Sequence, residues 1–389
     1  MSVLIVLVMI SFSVNSEENI NEEKIMNTVP DYSVDAIAVY SKNTNTGDTD
    51  IYYSFYGHNP KIPKPVDTLL TWKWWTLNGE DVPSAKIPNF IVGNDSRPSI
   101  AFSREGFAVA VWDNIKQVGT VPCGDPPFPD PIYKSDILFS VWNGISWSDA
   151  AIVIEGANDI HLIDPSIAID NNGNGIVTYT KEIIQRDQGC PLLANTIASV
   201  EYVKFQGSDK TFPAGGILEP PYTDPQMYYH NSPPSEVAFT SNLLIPDQFT
   251  RQQGVAVWWA KDTEYSKTCP ADPEPYTIKI QTYWPKYGIW DGNSFVQKDF
   301  IPNKLIPPAD LTNNLSIRMG MKLGISSNQF NHAKPVWDVV KRYGDPCNTF
   351  NTFEEFWSAR WNSTNWQPKA AMFAFSNTLI VVSTSSFPY

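Results

Sequence analysis

The sequence predicts an all-β fold: a β-propeller of four-stranded antiparallel blades, five blades first and six as the alternative. Three observations carry this. A degenerate repeat of about 74 residues runs along the chain, its aligned aromatics Tyr40, Trp112, Tyr179, Trp258 and Trp337 lying 72, 67, 79 and 79 residues apart. Each repeat reads as two linked β-hairpins. Helical periodicity is weak, and 32 prolines would break long helices.

The first hairpin is clearest in two repeats. Pro98-Ser99-Ile100-Ala101-Phe102 is followed by a polar turn and Phe107-Ala108-Val109-Ala110-Val111-Trp112. Pro165-Ser166-Ile167-Ala168-Ile169-Asp170 is followed by Asn171 to Gly175 and then Ile176-Val177-Thr178-Tyr179. Short β-branched runs joined by a Gly/Asn turn are the sequence form of a hairpin. Its second strand recurs at Ala36 to Tyr40, Val255 to Trp258 and Lys334 to Trp337.

A Pro-rich loop leads to the second hairpin. Its first strands are Asp50 to Ser54, Asp136 to Ser140, Ile197 to Glu201, Ile278 to Thr282 and Phe356 to Arg360. Tryptophan-bearing turns follow at Trp142 to Trp147, Trp284 to Trp290 and Trp361 to Trp366. A four-stranded unit of this kind has two apolar faces and exposed edges, and radial stacking of copies covers both. Consecutive β-sandwiches would give no common register across five segments. Ala371 to Ser376 and Leu379 to Ser383 again read as the first hairpin of a repeat. The N-terminal repeat lacks its first strand, so the C-terminus is expected to supply it and close the ring.

The 389 residues would suggest two or three domains by length, but a ring grows by adding blades, so residues 31–389 are taken as one domain. With 28 basic against 41 acidic residues the net charge is −13 and no basic stripe is present, which disfavours nucleic acid. Met1 to Val14 is almost wholly apolar and an acidic, polar run begins at Glu17, the form of a secretory signal peptide cut near Ser16. Residues 17–30 read as a disordered leader. No later apolar run approaches the ~18 residues that span a bilayer. The mature chain is therefore expected to be a soluble monomer, secreted or periplasmic.

The recurring Pro-Ser-Ile-Ala, Gly-turn, Val-x-Trp/Tyr, Ile-x-Tyr-Ser and Trp-x-Gly-x-x-Trp elements resemble the propeller repeats of extracellular microbial proteins, in the style of the sialidase-like propellers. The resemblance covers about residues 31 to 385. Clear Asp-boxes and a full arginine triad are missing; Arg97 and Arg318 stand near blade starts, and no third arginine joins them. What the resemblance implies is the propeller fold; without the full arginine triad it does not imply a sialidase activity.

Cys123, Cys190 and Cys269 each lie eleven residues beyond the aligned aromatic, and Cys347 lies ten beyond. Four cysteines at one place in successive blades of an exported protein point to disulfides, with Cys123–Cys190 and Cys269–Cys347 preferred among three pairings. A Cys₄ zinc site is the alternative, but no Cys-x-x-Cys spacing supports it, so no metal or other cofactor is expected. Asp170-x-Asn172-x-Asn174-Gly175 matches half of a calcium loop, yet Lys181 stands where the closing glutamate belongs, and an Asn/Gly turn fits better.

Asp113, Glu182, Asp262 and Asp338 lie within four residues of the aligned aromatics, where they would rim a central pocket. Paired carboxylates are what glycoside hydrolysis needs. Acids repeated around a ring would instead share one wet environment and titrate alike. Most of the 14 tryptophans recur at equivalent positions, as inter-blade core residues do; Trp72, Trp74 and Trp75 are the exceptions. No zinc-protease, serine-hydrolase or nucleotide-binding motif is present. The sequence thus favours a non-catalytic propeller binding a glycan or protein ligand, through Asp113, Glu182, Asp262, Asp338, Arg97 and Arg318. A propeller glycoside hydrolase, sialidase-like or arabinanase-like, is the alternative.

Overall fold

The computed structural model describes residues 6–9, 33–43, 48–58, 85–103, 106–170, 172–187, 190–191, 196–223, 235–239, 254–270, 275–302, 316–328, 332–343, 351–362 and 365–374. Among these residues there is no helix, and the strands form five four-stranded antiparallel sheets and one short ribbon.

The first sheet holds β1 (Val6–Met9), β2 (Ser33–Asn43), β3 (Thr49–His58) and β4 (Ala85–Lys86). The second holds β5 (Asn94–Phe102), β6 (Ala108–Cys123), β7 (Phe128–Trp142) and β8 (Ala151–Ile154). In the third, β9 (Ile160–Ile169) and β10 (Gly175–Ile183) lead through the ribbon β11 (Arg186–Asp187) and β12 (Cys190–Pro191) to β13 (Ile197–Phe205) and β14 (Gly216–Thr223). The fourth is β15 (Ser235–Phe239), β16 (Gly254–Cys269), β17 (Tyr276–Trp290) and β18 (Phe295–Phe300). The fifth is β19 (Ser316–Asn328), β20 (His332–Tyr343), β21 (Asn351–Trp361) and β22 (Trp366–Ala374). Every sheet is an up-and-down meander in chain order. The first strands pack in succession, β1 on β5, β5 on β9, β9 on β15 and β15 on β19.

The strand period of two explains how each sheet buries both faces. Along β6, Ala108, Ala110 and Trp112 pack with Ile37, Val39 and Ile51 of the first sheet. The alternate residues Val109 and Val111 pack with Ile167, Ile169 and Val177 of the third. Along β16, Ala256, Trp258 and Ala260 face the third sheet while Val255, Val257 and Trp259 face the fifth. The aligned Trp112, Trp258 and Trp337 are fully buried.

The tryptophan turns have the same use. Tyr53 on β3 lies 6.3 and 5.7 Å from Trp142 and Trp147 of the second sheet. Tyr202 on β13 meets Trp290 and Phe295 of the fourth, and Tyr287 on β17 meets Trp361 and Trp366 of the fifth. The third strands of these three sheets thus present an aromatic ring to the turn of the next sheet, and tilted or edge-on pairs of this kind add to the area they bury.

Three expectations are revised. Ala371 to Ala374 belong to β22, the outer strand of the fifth sheet, and do not open a new repeat. Trp284 lies mid-strand in β17, 1% exposed, so only Trp290 of that pair reaches the turn. Val6–Met9, inside the expected signal peptide, pairs with Ala36 to Val39 on the edge that the sequence left open for the C-terminus. Leu379 to Ser383, like Trp72, Trp74 and Trp75, lie outside the described residues.

Candidate functional site

Two β-bulges build the site. Proline supplies no N–H to a ladder, and the β5–β6 register shifts between Ser96 and Ser99, across Pro98. The β9–β10 register shifts in the same way, its irregularity falling between Thr178 and Thr180 of β10, beside Pro165 of β9. The residue before each proline is left-handed, Arg97 at φ 49° and Asp164 at φ 51°. Such a conformation costs a non-glycine residue on the order of 1–3 kcal/mol and persists where the surroundings over-determine it.

Here they do. Arg97 Nη1 lies 3.2 Å from Asp164 Oδ1 across two sheets, and its Nη2 lies 2.7 Å from Asp113 Oδ2 on β6. The Ser96 hydroxyl donates to the other oxygen of Asp113, which is fully buried.

A second set of bonds links the first strands directly. Ser99 Oγ accepts the Ile167 N–H at 3.2 Å, and Ser166 Oγ accepts the Val237 N–H at 3.3 Å. Ser99 faces Val111 and Ser166 faces Thr178, each one residue before the aligned aromatic. The residue in this register on β15, facing Val257, is Glu236. The repeat therefore breaks at this position, and Ser166 Oγ donates to Glu236 Oε2 at 2.7 Å. On β10, Glu182 is 4% exposed and faces His161, whose Nδ1 is 3.9 Å from Oε2.

The electrostatics differ from group to group. Burial pushes Asp113 from 3.8 up to about 6, against the pull of Arg97 and the Ser96 hydroxyl. Burial likewise raises Glu182 from 4.5 to about 7, opposed by Arg97 and reinforced by Asp164. Glu236 rises from 4.5 to about 7 through burial, opposed by the Ser166 hydrogen bond. For Arg97 burial disfavours the charge, but Asp113, Asp164 and Glu182 outweigh it and push its pKa up. The cluster thus holds one fixed cation among carboxyl groups able to carry or release protons near neutral pH, the arrangement general acid–base chemistry uses.

Of the predicted site residues, Arg97, Asp113 and Glu182 come together. They do not share one wet environment: Asp113 is sealed beneath Arg97 and Glu182 is almost closed off. Asp262 is half-buried on β16, and the side chains of Arg318 on β19 and Asp338 on β20 lie outside the described set. Asp164, Glu236, Ser96 and Ser166 were missed. The sequence held one signal for them, the opposite charges of Arg97 and Asp164 ahead of matching Pro-Ser pairs 67 residues apart.

Cys123 and Cys190 form a disulfide, joining the β6–β7 hairpin tip to the ribbon of the next sheet. Arg186 on that ribbon adds Asp130 at 2.5 Å, Asp159 at 2.7 and 2.9 Å, and the Pro131 carbonyl at 2.9 Å. Cys269 is also disulfide-bonded, and Cys347 lies outside the described residues. Asp170 Oδ1 accepts the Asn172 and Asn174 N–H groups at 2.8 and 2.9 Å, closing the β9–β10 turn.

No protein-family profile and no curated protein matches the sequence. Among solved structures the chain is similar to a protein of unknown function from Dyadobacter fermentans, at 11% identity and a TM-score of 0.37 over 72% of this chain and 69% of that one. It is similar to the catalytic domain of a Coprinopsis cinerea GH62 α-L-arabinofuranosidase at 9% identity and a TM-score of 0.32, over 96% and 98% of the two chains. A GH62 hydrolase in complex with xylotriose gives 10% identity and a TM-score of 0.34, over 94% and 96%.

Proposed function

We propose that the chain is an exported five-bladed β-propeller that binds a glycan over the Arg97, Asp113, Asp164, Glu182 and Glu236 cluster and hydrolyses it. The five meander sheets and the succession of contacts between their first strands support a radial arrangement. The Cys123–Cys190 bond supports an oxidising compartment. Residues 1–16 act as the signal peptide in this proposal, so cleavage would remove β1 and reopen the edge of β2 to another strand.

The observation that carries the proposal is the break in the repeat at Glu236. A carboxyl group replaces the serine that staples one first strand to the next, and it sits beside an arginine-held pair of carboxylates. In this scheme Glu236, protonated near neutral pH, gives its proton to the leaving oxygen. Asp164, partly exposed and paired with Arg97, serves as base or nucleophile on the other side of the bond. Arg97, anchored by the buried Asp113, positions Asp164. The buried Glu236 and the partly exposed Asp164 occupy different environments, which is what a pair of carboxyl groups with separate roles needs.

One observation favours the second proposal, a propeller that binds without cleaving: both Asp113 and Asp164 are already engaged by Arg97. A screen of the purified protein against aryl glycosides and polysaccharides separates the two. Hydrolysis is expected for the wild type, with a loss of at least about 100-fold in Glu236→Gln and in Asp164→Asn. Binding unaffected by either variant and without turnover would leave only the second proposal standing. No carbohydrate binding at all would reject both.

A further inference from the structure

The occupancy of Arg97 bears on the chemistry of the ligand. Its side chain is 24% exposed, and its two terminal nitrogens are already committed, Nη2 to Asp113 at 2.7 Å and Nη1 to Asp164 at 3.2 Å. A sugar carboxylate seeking the remaining N–H groups of the guanidinium would have to approach beside Asp164, which already holds Nη1. It would then lie among the acidic groups of Asp164, Glu236 and Glu182, on a chain whose net charge is −13. Two parallel N–H bonds are what make arginine selective for a carboxylate, and here Nη1 and Nη2 each already serve one of the protein's own aspartates, whose charges offset that of the guanidinium. Neutral hydroxyl groups meet no such obstacle. They can donate to Asp164 and Glu236 without bringing charge to a carboxyl-lined surface, where like charges close together discriminate strongly against the wrong ligand.

We infer that the site selects neutral glycans and rejects uronic and sialic acids, with Asp164, held by Arg97, as the residue that sets this specificity. The inference rests on the carbohydrate role proposed above. It also separates the chain from the sialidase-like propellers it resembles in sequence, whose arginines grip a carboxylate.

Calorimetric binding with the disulfide-bonded full chain at pH 7 tests it. The probes are neutral hexasaccharides derived from xylan, arabinan and β-glucan, against oligogalacturonate and sialyllactose. The wild type is expected to bind at least one neutral probe and to bind the anionic ones at least ~10-fold more weakly. Added salt should narrow that gap by screening repulsion. Asp164→Asn should narrow or reverse it, because one negative charge beside the ligand is removed and the charge of Arg97 is less fully offset. Should that variant fail to fold, the wild-type preference and its salt dependence still decide the matter. An anionic probe bound as tightly as the neutral ones, with affinity falling as salt rises, would overturn the specificity while leaving the carbohydrate role intact. Binding of neither class would overturn the carbohydrate role, and the specificity with it.

Discussion

Replacing Glu182 with glutamine should make the protein more stable at pH 8 and bring a much smaller gain near pH 5. Glu182 is 4% exposed, and burial raises its pKa from 4.5 to about 7. An acid whose pKa is higher folded than unfolded binds more protons in the native state between those two values. Stability therefore falls as pH rises from about 4.5 to about 7, and stays at the lower level above that. The gap corresponds to about 3 kcal/mol at full strength, and relaxation around the ionised group lowers the realised figure to about 1–3 kcal/mol. Glutamine keeps the shape and never ionises, so the variant should recover that amount at pH 8 and progressively less toward pH 5. Urea unfolding of wild type and Glu182→Gln at pH 5, 6, 7 and 8 measures it. A variant less stable than wild type at pH 8, or a difference that does not vary with pH, would refute the reasoning.

Three other outcomes follow from the fold. Replacing Cys123 and Cys190 together by alanine releases a cross-link spanning 67 residues and should cost up to about 4 kcal/mol, less what the Arg186 contacts retain; an unchanged unfolding midpoint would contradict the clamp. Trp258→Ala empties a fully buried site between the third and fourth sheets and removes the indole N–H that Glu219 accepts at 3.0 Å, so a loss of about 3–5 kcal/mol or more should appear in thermal unfolding. N-terminal sequencing of exported protein should begin near Glu17, whereas an intact Met1 would reject the signal peptide.

Much of the fold was legible because the repeat is written in its core. Alternating small and aromatic residues along β6 and β16 dictate which side chains face which neighbouring sheet, and an alternation of that kind survives in the sequence. The Trp142 and Trp147 turn was readable for the same reason. Trp284 was misplaced because β17 runs unbroken from Tyr276 to Trp290, so Ile278 to Thr282 and Trp284 lie on one strand with no turn residue between them. The site was half legible. Arg97, Asp113 and Glu182 could be picked out from their place in the repeat, but burial and pairing, which distinguish them, depend on contacts between sheets.

Glu236 was hidden by register. Aligning Pro234-Ser235 with Pro98-Ser99 puts Glu236 opposite an ordinary strand position. The ladder instead pairs Glu236 with Val257, as it pairs Ser99 with Val111. That offset of one residue carries a side chain to the other face of the sheet. Asp164 was hidden differently: its φ of 51° turns it toward Arg97, and neither the bend nor the partner can be read from a single repeat.

The most direct test of the account is a crystal structure of the exported Glu236→Gln protein with a neutral oligosaccharide bound. Five sheets should surround one axis, with the glycosidic oxygen within about 3 Å of the residue 236 amide and a carboxylate oxygen of Asp164 facing the anomeric carbon from the opposite side. A ligand held away from these two side chains, or sheets packed face to face as sandwiches, would contradict it.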